Sequence, residues 1–115
     1  MIKVVYHRDL NRVTVEGHAH SGEEGHDLVC ASASILIYTL ASFARNTSKS
    51  KQSHKLCLKL DNGDSEVSCK AKRGYKPAIT LVFDSICAGF ELLARNYPQN
   101  ISYKIITQGG NTNEI

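Results

Sequence analysis

Before Gly17 the apolar positions recur every second residue: Ile2, Val4 and Tyr6 in "IKVVYHR", then Val13 and Val15 in "RVTVEGH". That is the period of half-buried strands, and the "DLN" between the runs predicts a hairpin. From Leu28 the period lengthens. Val29, Ala33, Leu36, Leu40 and Phe43 fall at steps of three or four, one stripe of a helix, which the polar "NTSKSKQSH" ends. "KLCLKL" and "SEVSCKAK" then flank "DNGD", and Asn62-Gly63 is the preferred centre of a two-residue type I′ hairpin. The implied register pairs Leu58 with Val67 and Leu60 with Ser65. Leu56, Leu58 and Leu60 therefore share a face with Val67, Cys69 and Ala71, while Cys57 points the other way. Pro77 suits the start of a second helix with a stripe of Ile79, Val82, Phe83, Ile86, Phe90 and Leu93, and Pro98 stops it. "ISYKIIT" reads as a last strand and 108–115 as a flexible tail. The order β-β-α-β-β-α-β predicts an α+β fold, a largely antiparallel five-stranded sheet packed with two helices.

A chain of 115 residues fits one domain, here 1–107 followed by the tail 108–115. With 42% hydrophobic and 22% charged residues, it has the composition of a soluble globule. Ser32, Ser34, Thr39 and Ser42 interrupt the longest apolar stretch, 28–44, and a bilayer span takes roughly 20 predominantly apolar residues. The opening "MIKVVYHRDL" has no apolar core with a cleavage site, so a cytoplasmic location is expected. Cys30, Cys57, Cys69 and Cys87 show neither zinc-ribbon spacing nor a secretory context and are expected as free thiols. A Cys57–Cys69 bridge is disfavoured because the two face opposite sides of the hairpin. The net charge of +3 is concentrated in Ser48–Lys55 and Lys70–Lys76, which read as solvated faces, although such clusters can also meet phosphate.

The junction "GHAHSGEEGHDLVCASAS" carries the candidate chemistry. His18 falls at the end of the second strand. Cys30 falls in the first turn of the first helix, with Asp27 placed to cap it. Ala19, His20, Ser21, Gly22, Glu23, Glu24, Gly25 and His26 form a polar, glycine-bearing segment that predicts a flexible loop able to cover a substrate. A helix N-terminus and a nearby imidazolium both stabilise thiolate, the nucleophilic form of cysteine, and the free N–H groups there suit an oxyanion. Asp27 works against a second anion, so its expected part is support rather than base. Ser34, one turn beyond Cys30, shares its face and can contact substrate. Three other readings stand beside this one. Cys30 can be a buried structural thiol. His18, His20, His26 and Cys30 are all zinc-ligand types, without a standard spacing. The basic segments suit a noncatalytic ribosome-associated binding module facing rRNA.

The same stretch resembles the signature of the ribosomal-processing cysteine protease Prp family. There G-H-A precedes a glycine-containing loop and D-[IL]-V-C-A, with a serine four residues after the cysteine. The matching positions are Gly17, His18, Ala19, Gly25, Asp27, Val29, Cys30, Ala31 and Ser34. The strand and helix order and "GFELLARNYPQNI" extend the likeness along the chain. The resemblance implies a catalytic dyad of His18 and Cys30. Asp27 and Ser34 would support the site or bind substrate, and Gly17 would keep the strand end open. It further implies a homodimeric cytoplasmic endopeptidase, without metal or cofactor, that trims the N-terminal extension of large-subunit ribosomal protein twenty-seven. No membrane and no direct nucleic-acid binding are expected. Ser32 and the segment 20–22 depart from the commoner family pattern.

Overall fold

The computed structural model describes residues 1–18, 26–107 and 112–114, apart from the side chains of 26, 27 and 112–114. Strands β1 (Ile2–His7) and β2 (Arg12–Glu16) form the expected hairpin around a single 3₁₀ turn, Arg8–Leu10. Helix α1 (His26–Lys49) follows, then β3 (Ser53–Asp61), β4 (Asp64–Ala71), helix α2 (Lys76–Asn96) and β5 (Ile101–Ile106). A short β6 (Thr112–Glu114) lies beyond the five predicted strands. The sheet order is β3-β4-β2-β1-β5-β6, antiparallel throughout except for the parallel pair of β1 and β5.

Strand β6 falls within the expected tail 108–115, where Ile106 pairs with Thr112 and Lys104 with Glu114; 108–111 and 115 lie outside the described residues. "TNE" has no apolar alternation to announce a strand. What it meets is the open backbone edge of β5, and an unpaired ladder accepts a strand with little regard to side chains.

Alternation decides which face of the sheet is covered. Ile2, Val4 and Tyr6 of β1, Val13 of β2, Val67 and Cys69 of β4, and Ile101 and Tyr103 of β5 are buried and stand on one face by register. Both helices lie on that face. Helix α1 buries Val29, Ala33, Ile37, Leu40, Ala41 and Ala44, and α2 buries Ile79, Phe83, Cys87, Phe90 and Ala94. The stripe on α1 is thus turned slightly from the predicted one, since Leu36 and Phe43 are only partly buried at its margin. Phe83 is the hub, stacked on Tyr6 at 6.2 Å and meeting Phe43 edge-on at 6.3 Å. Each such side chain contributes about 1.5–3 kcal/mol by leaving water. By length and composition Leu28–Lys49 and Lys76–Asn96 are apolar enough to cross a membrane, but each lays its stripe on the sheet. Their outer faces leave Leu28, Ile35, Tyr38, Leu81 and Leu92 exposed.

The β3–β4 hairpin has the predicted register, Leu58 opposite Val67 and Leu60 opposite Ser65. Its turn differs: Gly63 has φ 79° while Asn62 stays outside the left-handed region, so the pattern is that of a type II rather than a type I′ turn. The register also slips between His54 and Cys57, where Lys55 takes φ 53° in a bulge. None of the four cysteines is in a disulfide; Cys57 is exposed and Cys69 is buried on the opposite face.

A polar clamp ties the first hairpin to α2. The Tyr6 hydroxyl donates to Oδ1 of Asp84 at 2.7 Å, and Arg8 donates through Nε to Oδ1 and through Nη2 to Oδ2, both at 3.0 Å. Burial by itself raises the Asp84 pKa, but the hydrogen bonds from Arg8 and Tyr6 outweigh it and hold the carboxyl below the ordinary aspartate range. The folded form therefore binds this proton less readily than the unfolded chain, whose aspartates titrate near ~3.9. The clamp's contribution is complete above that value and is lost as the pH falls through the lower folded value. Melting curves from pH 7 to pH 3 should show Asp84→Asn less stable than the parent at neutral pH by about 1 kcal/mol, a figure kept small because both partners are partly exposed. The gap should narrow in acid, and a constant gap across the range would rule the clamp out.

Candidate active site

The end of β2 is pinned on both sides. The Gly17 N–H donates to the Gly63 carbonyl at 2.9 Å, and the Met1 amino group donates to the His18 carbonyl at 2.9 Å. Gly17 has φ 97°, in the left-handed region, and a β-carbon there would collide with the Met1 carbonyl oxygen. Only glycine fits both demands. The backbone thus leaves β2 in a fixed direction, and His18 follows on the surface beside the β3–β4 turn.

The His18 ring lies against Gly63. A β-carbon on Gly63 would occupy the space of His18 Cε1 and Nε2, so the missing side chain in the turn is the seat of the imidazole. Both residues border a cavity of about 120 Å³ that is also lined by Gly17, Cys30 and Ser34. Four of the sequence-predicted site residues, Gly17, His18, Cys30 and Ser34, are therefore together. Cys30 and Ser34 stand one turn apart on α1, each half-buried. Ala33, Ile37, Ile2 and Val15 give the cavity an apolar floor, and Tyr38 flanks it.

The loop residues Ala19, His20, Ser21, Gly22, Glu23, Glu24 and Gly25 lie outside the described residues, as do the side chains of His26 and Asp27. The backbone does place the last two. Helix α1 begins at His26, so Asp27 is inside the first turn rather than at its cap, and Cys30 is the fifth helical residue rather than the third. The free N–H groups of a helix end belong to its first four residues, and these precede Cys30. Among the described residues no three His, Cys, Asp or Glu side chains converge on a metal position. His20 and the His26 side chain of the zinc reading are outside them.

The wall contributed by Asp61, Asn62, Gly63, Asp64 and Ser65 is what sequence reasoning missed. "DNGD" was legible as a turn, but nothing local says that this turn abuts a histidine forty-five positions earlier. Two carboxylates stand on this wall, and Lys59 donates to Asp64 Oδ2 at 2.6 Å.

The other thiols have structural surroundings. Burial raises the Cys69 thiol and pushes Cys87 up to about 12. Cys57 is exposed, but it donates to Glu66 Oε2 at 3.3 Å, and that hydrogen bond, helped by partial burial, raises its pKa. Both effects disfavour thiolate. Cys30 alone of the four lines the cavity with His18. A thiol, an imidazole and a hydroxyl at the mouth of an apolar pocket suit nucleophilic attack on a carbonyl carbon.

The sequence profile of the family described as cysteine protease Prp matches residues 1–102. Among curated protein sequences there is no match to the chain. Of the solved structures, SMU.848 from Streptococcus mutans is similar at 26% identity and TM-score 0.59, over 93% of both chains. An essential ribosomal processing protease Prp from S. aureus, in complex with a substrate peptide, is similar at 19% identity and TM-score 0.64, over 90% of this chain and 96% of that one. The same S. aureus protease with a covalently linked product peptide is similar at 18% identity and TM-score 0.63.

Proposed function

We propose, from the premise that this chain belongs to the cysteine protease Prp family, that it is an endopeptidase in which His18 and Cys30 act as a dyad. The observation that carries this reading is the shared cavity of the two side chains, with the His18 ring seated on Gly63. Cys30 Sγ, as thiolate, attacks the carbonyl carbon of the scissile peptide bond, and the electron pair moves to the carbonyl oxygen. The tetrahedral adduct collapses as the imidazolium of His18 gives its proton to the leaving nitrogen, breaking the C–N bond. Water, deprotonated by His18, then attacks the thioester and releases a carboxylate, which returns Cys30 to its starting form. Ser34 lies on the same wall and is available to contact substrate.

The substrate we assign is the N-terminal extension of large-subunit ribosomal protein twenty-seven, cut in the cytoplasm during ribosome maturation. Support comes from the fold shared with a ribosomal processing protease that has been seen with a peptide. The apolar floor of Ile2, Val15, Ala33 and Ile37 suits an apolar side chain next to the cut. The test is incubation of the chain with the extended ribosomal protein, reading the new N-terminus by mass spectrometry. One internal cut that removes the extension is expected. An extension left intact while other peptides are cleaved would refute the substrate and keep the protease.

A further inference from the structure

A second cavity, of about 550 Å³, lies at the other end of β2, β3 and β4 from the candidate active site. Arg12 at the start of β2 borders it and Gly17 borders the first, so the two are roughly 16 Å apart along the strand. Its lining gathers Arg12, Lys55, Lys70, Lys72, Arg73 and Lys76, against the single carboxylate of Asp9. Lys55, the last residue of the first basic segment, thus meets the second segment, Lys70–Lys76, in one concavity.

Several features of this place favour an anion. Lys55 brings a cation to the cavity from the bulge in β3. Helix α2 begins here at Lys76 with no side-chain hydrogen bond from its cap, Tyr75, and no acidic residue in its first turn, so its positive end is not offset locally. Arg12 Nη2 is held by Glu66 at 2.8 Å, yet its buried Nε meets no acceptor among the described residues. Lys76 donates from Nζ to the Asp9 carbonyl at 2.8 Å and to Asn11 Oδ1 at 2.7 Å, which fixes a cation at the rim.

We propose that this basic cavity docks the phosphate backbone of RNA. Four of its six cations are lysines, point charges that suit phosphates without reading bases, and the six come from strands β2, β3 and β4, the turn after β4 and the start of α2. A bilayer would call for apolar anchors around the charge, and Leu10 is the one large exposed apolar residue in the lining. The choice of RNA over another polyanion rests on the proposed reading, in which the substrate is a ribosomal protein and so is met beside RNA. The cavity then holds the enzyme on an RNA-bound substrate while the cut is made at the other end of the sheet.

The test is fluorescence anisotropy of a labelled RNA hairpin with the parent chain and with Lys70→Glu/Lys72→Glu/Arg73→Glu. Lys3→Glu/Arg45→Glu/Lys49→Glu carries the same charge change on exposed positions outside the cavity. The cavity variant should bind at least ~10-fold more weakly at low salt. It should also flatten the plot of log affinity against log salt by about 2 to 3, since each of the three lost phosphate contacts removes about 0.7–0.9. Cleavage of a short free peptide and the melting temperature should not change, and the control should bind like the parent. If the reversed charges unfold the chain, the corresponding glutamine variants take their place. No RNA binding by the parent, equal weakening by the control, or equally good competition by an acidic peptide of matched charge would each overturn the proposal. RNA binding is read without turnover, so it can fail while the protease reading stands, and the reverse.

Discussion

Cys30→Ala should lose peptide cleavage by on the order of 10⁴-fold or more, while its melting temperature stays within a few degrees of the parent. The first part follows from the role of the sulfur. A nucleophile has no substitute in a dyad, and what survives its removal is the modest catalysis of binding alone. The second part follows from where Cys30 sits. It is half-buried on α1 at the margin of the core, so deleting one sulfur costs about 1 kcal/mol or less. Cys30→Ser keeps the volume and should be as inactive and at least as stable. Equal changes at Cys87, fully buried on the inner face of α2, would instead destabilise the fold and leave the chemistry alone. Cleavage at the parent rate by a verified Cys30→Ala preparation would remove the nucleophile from the account.

Gly63→Ala should lower kcat/KM by about 10²-fold. The new methyl must take the space of the His18 ring, and displacing a catalytic group by about 1 Å is enough for a loss of that size. The substitution also forces alanine to φ 79°, so some stability is lost through the backbone whatever the ring does. Gly74→Ala separates the two effects. Gly74 has φ 90°, but its β-carbon would meet nothing within 4 Å. Both variants should melt lower by a similar amount, and only Gly63→Ala should lose turnover at a temperature where both are folded. Equal activity in the two would mean that the turn does not position His18.

Much of the fold could be read from the chain because its signals are local. Asn62-Gly63 set the register of β3 with β4 even though the turn type differs, since the register depends on a two-residue loop more than on its exact dihedrals. The helical stripes were visible for the same reason. The parallel pairing of β1 with β5 was not, because strand partners far apart in sequence leave no mark on either strand's alternation. The bulge at Lys55 and the short β6 were equally silent. In the candidate site, the strand end and the helix start named Gly17, His18, Cys30 and Ser34. The wall from Asp61 to Ser65 required the third dimension. The start of α1 at His26, rather than after a cap at Asp27, also moves Cys30 past the free donors of the helix end. On the proposed reading, that shifts weight from the helix onto His18 as the group that readies the sulfur.

This coupling can be measured directly as the rate at which iodoacetamide alkylates each cysteine at neutral pH, mapped by peptide mass spectrometry in the parent and in His18→Ala. Cys30 should react fastest in the parent and at least ~10-fold more slowly in His18→Ala. Cys57, on the outer face of the sheet, should react at one rate in both. If Cys30 reacts at the same rate with and without the imidazole, the two residues are neighbours in a cavity and not a dyad.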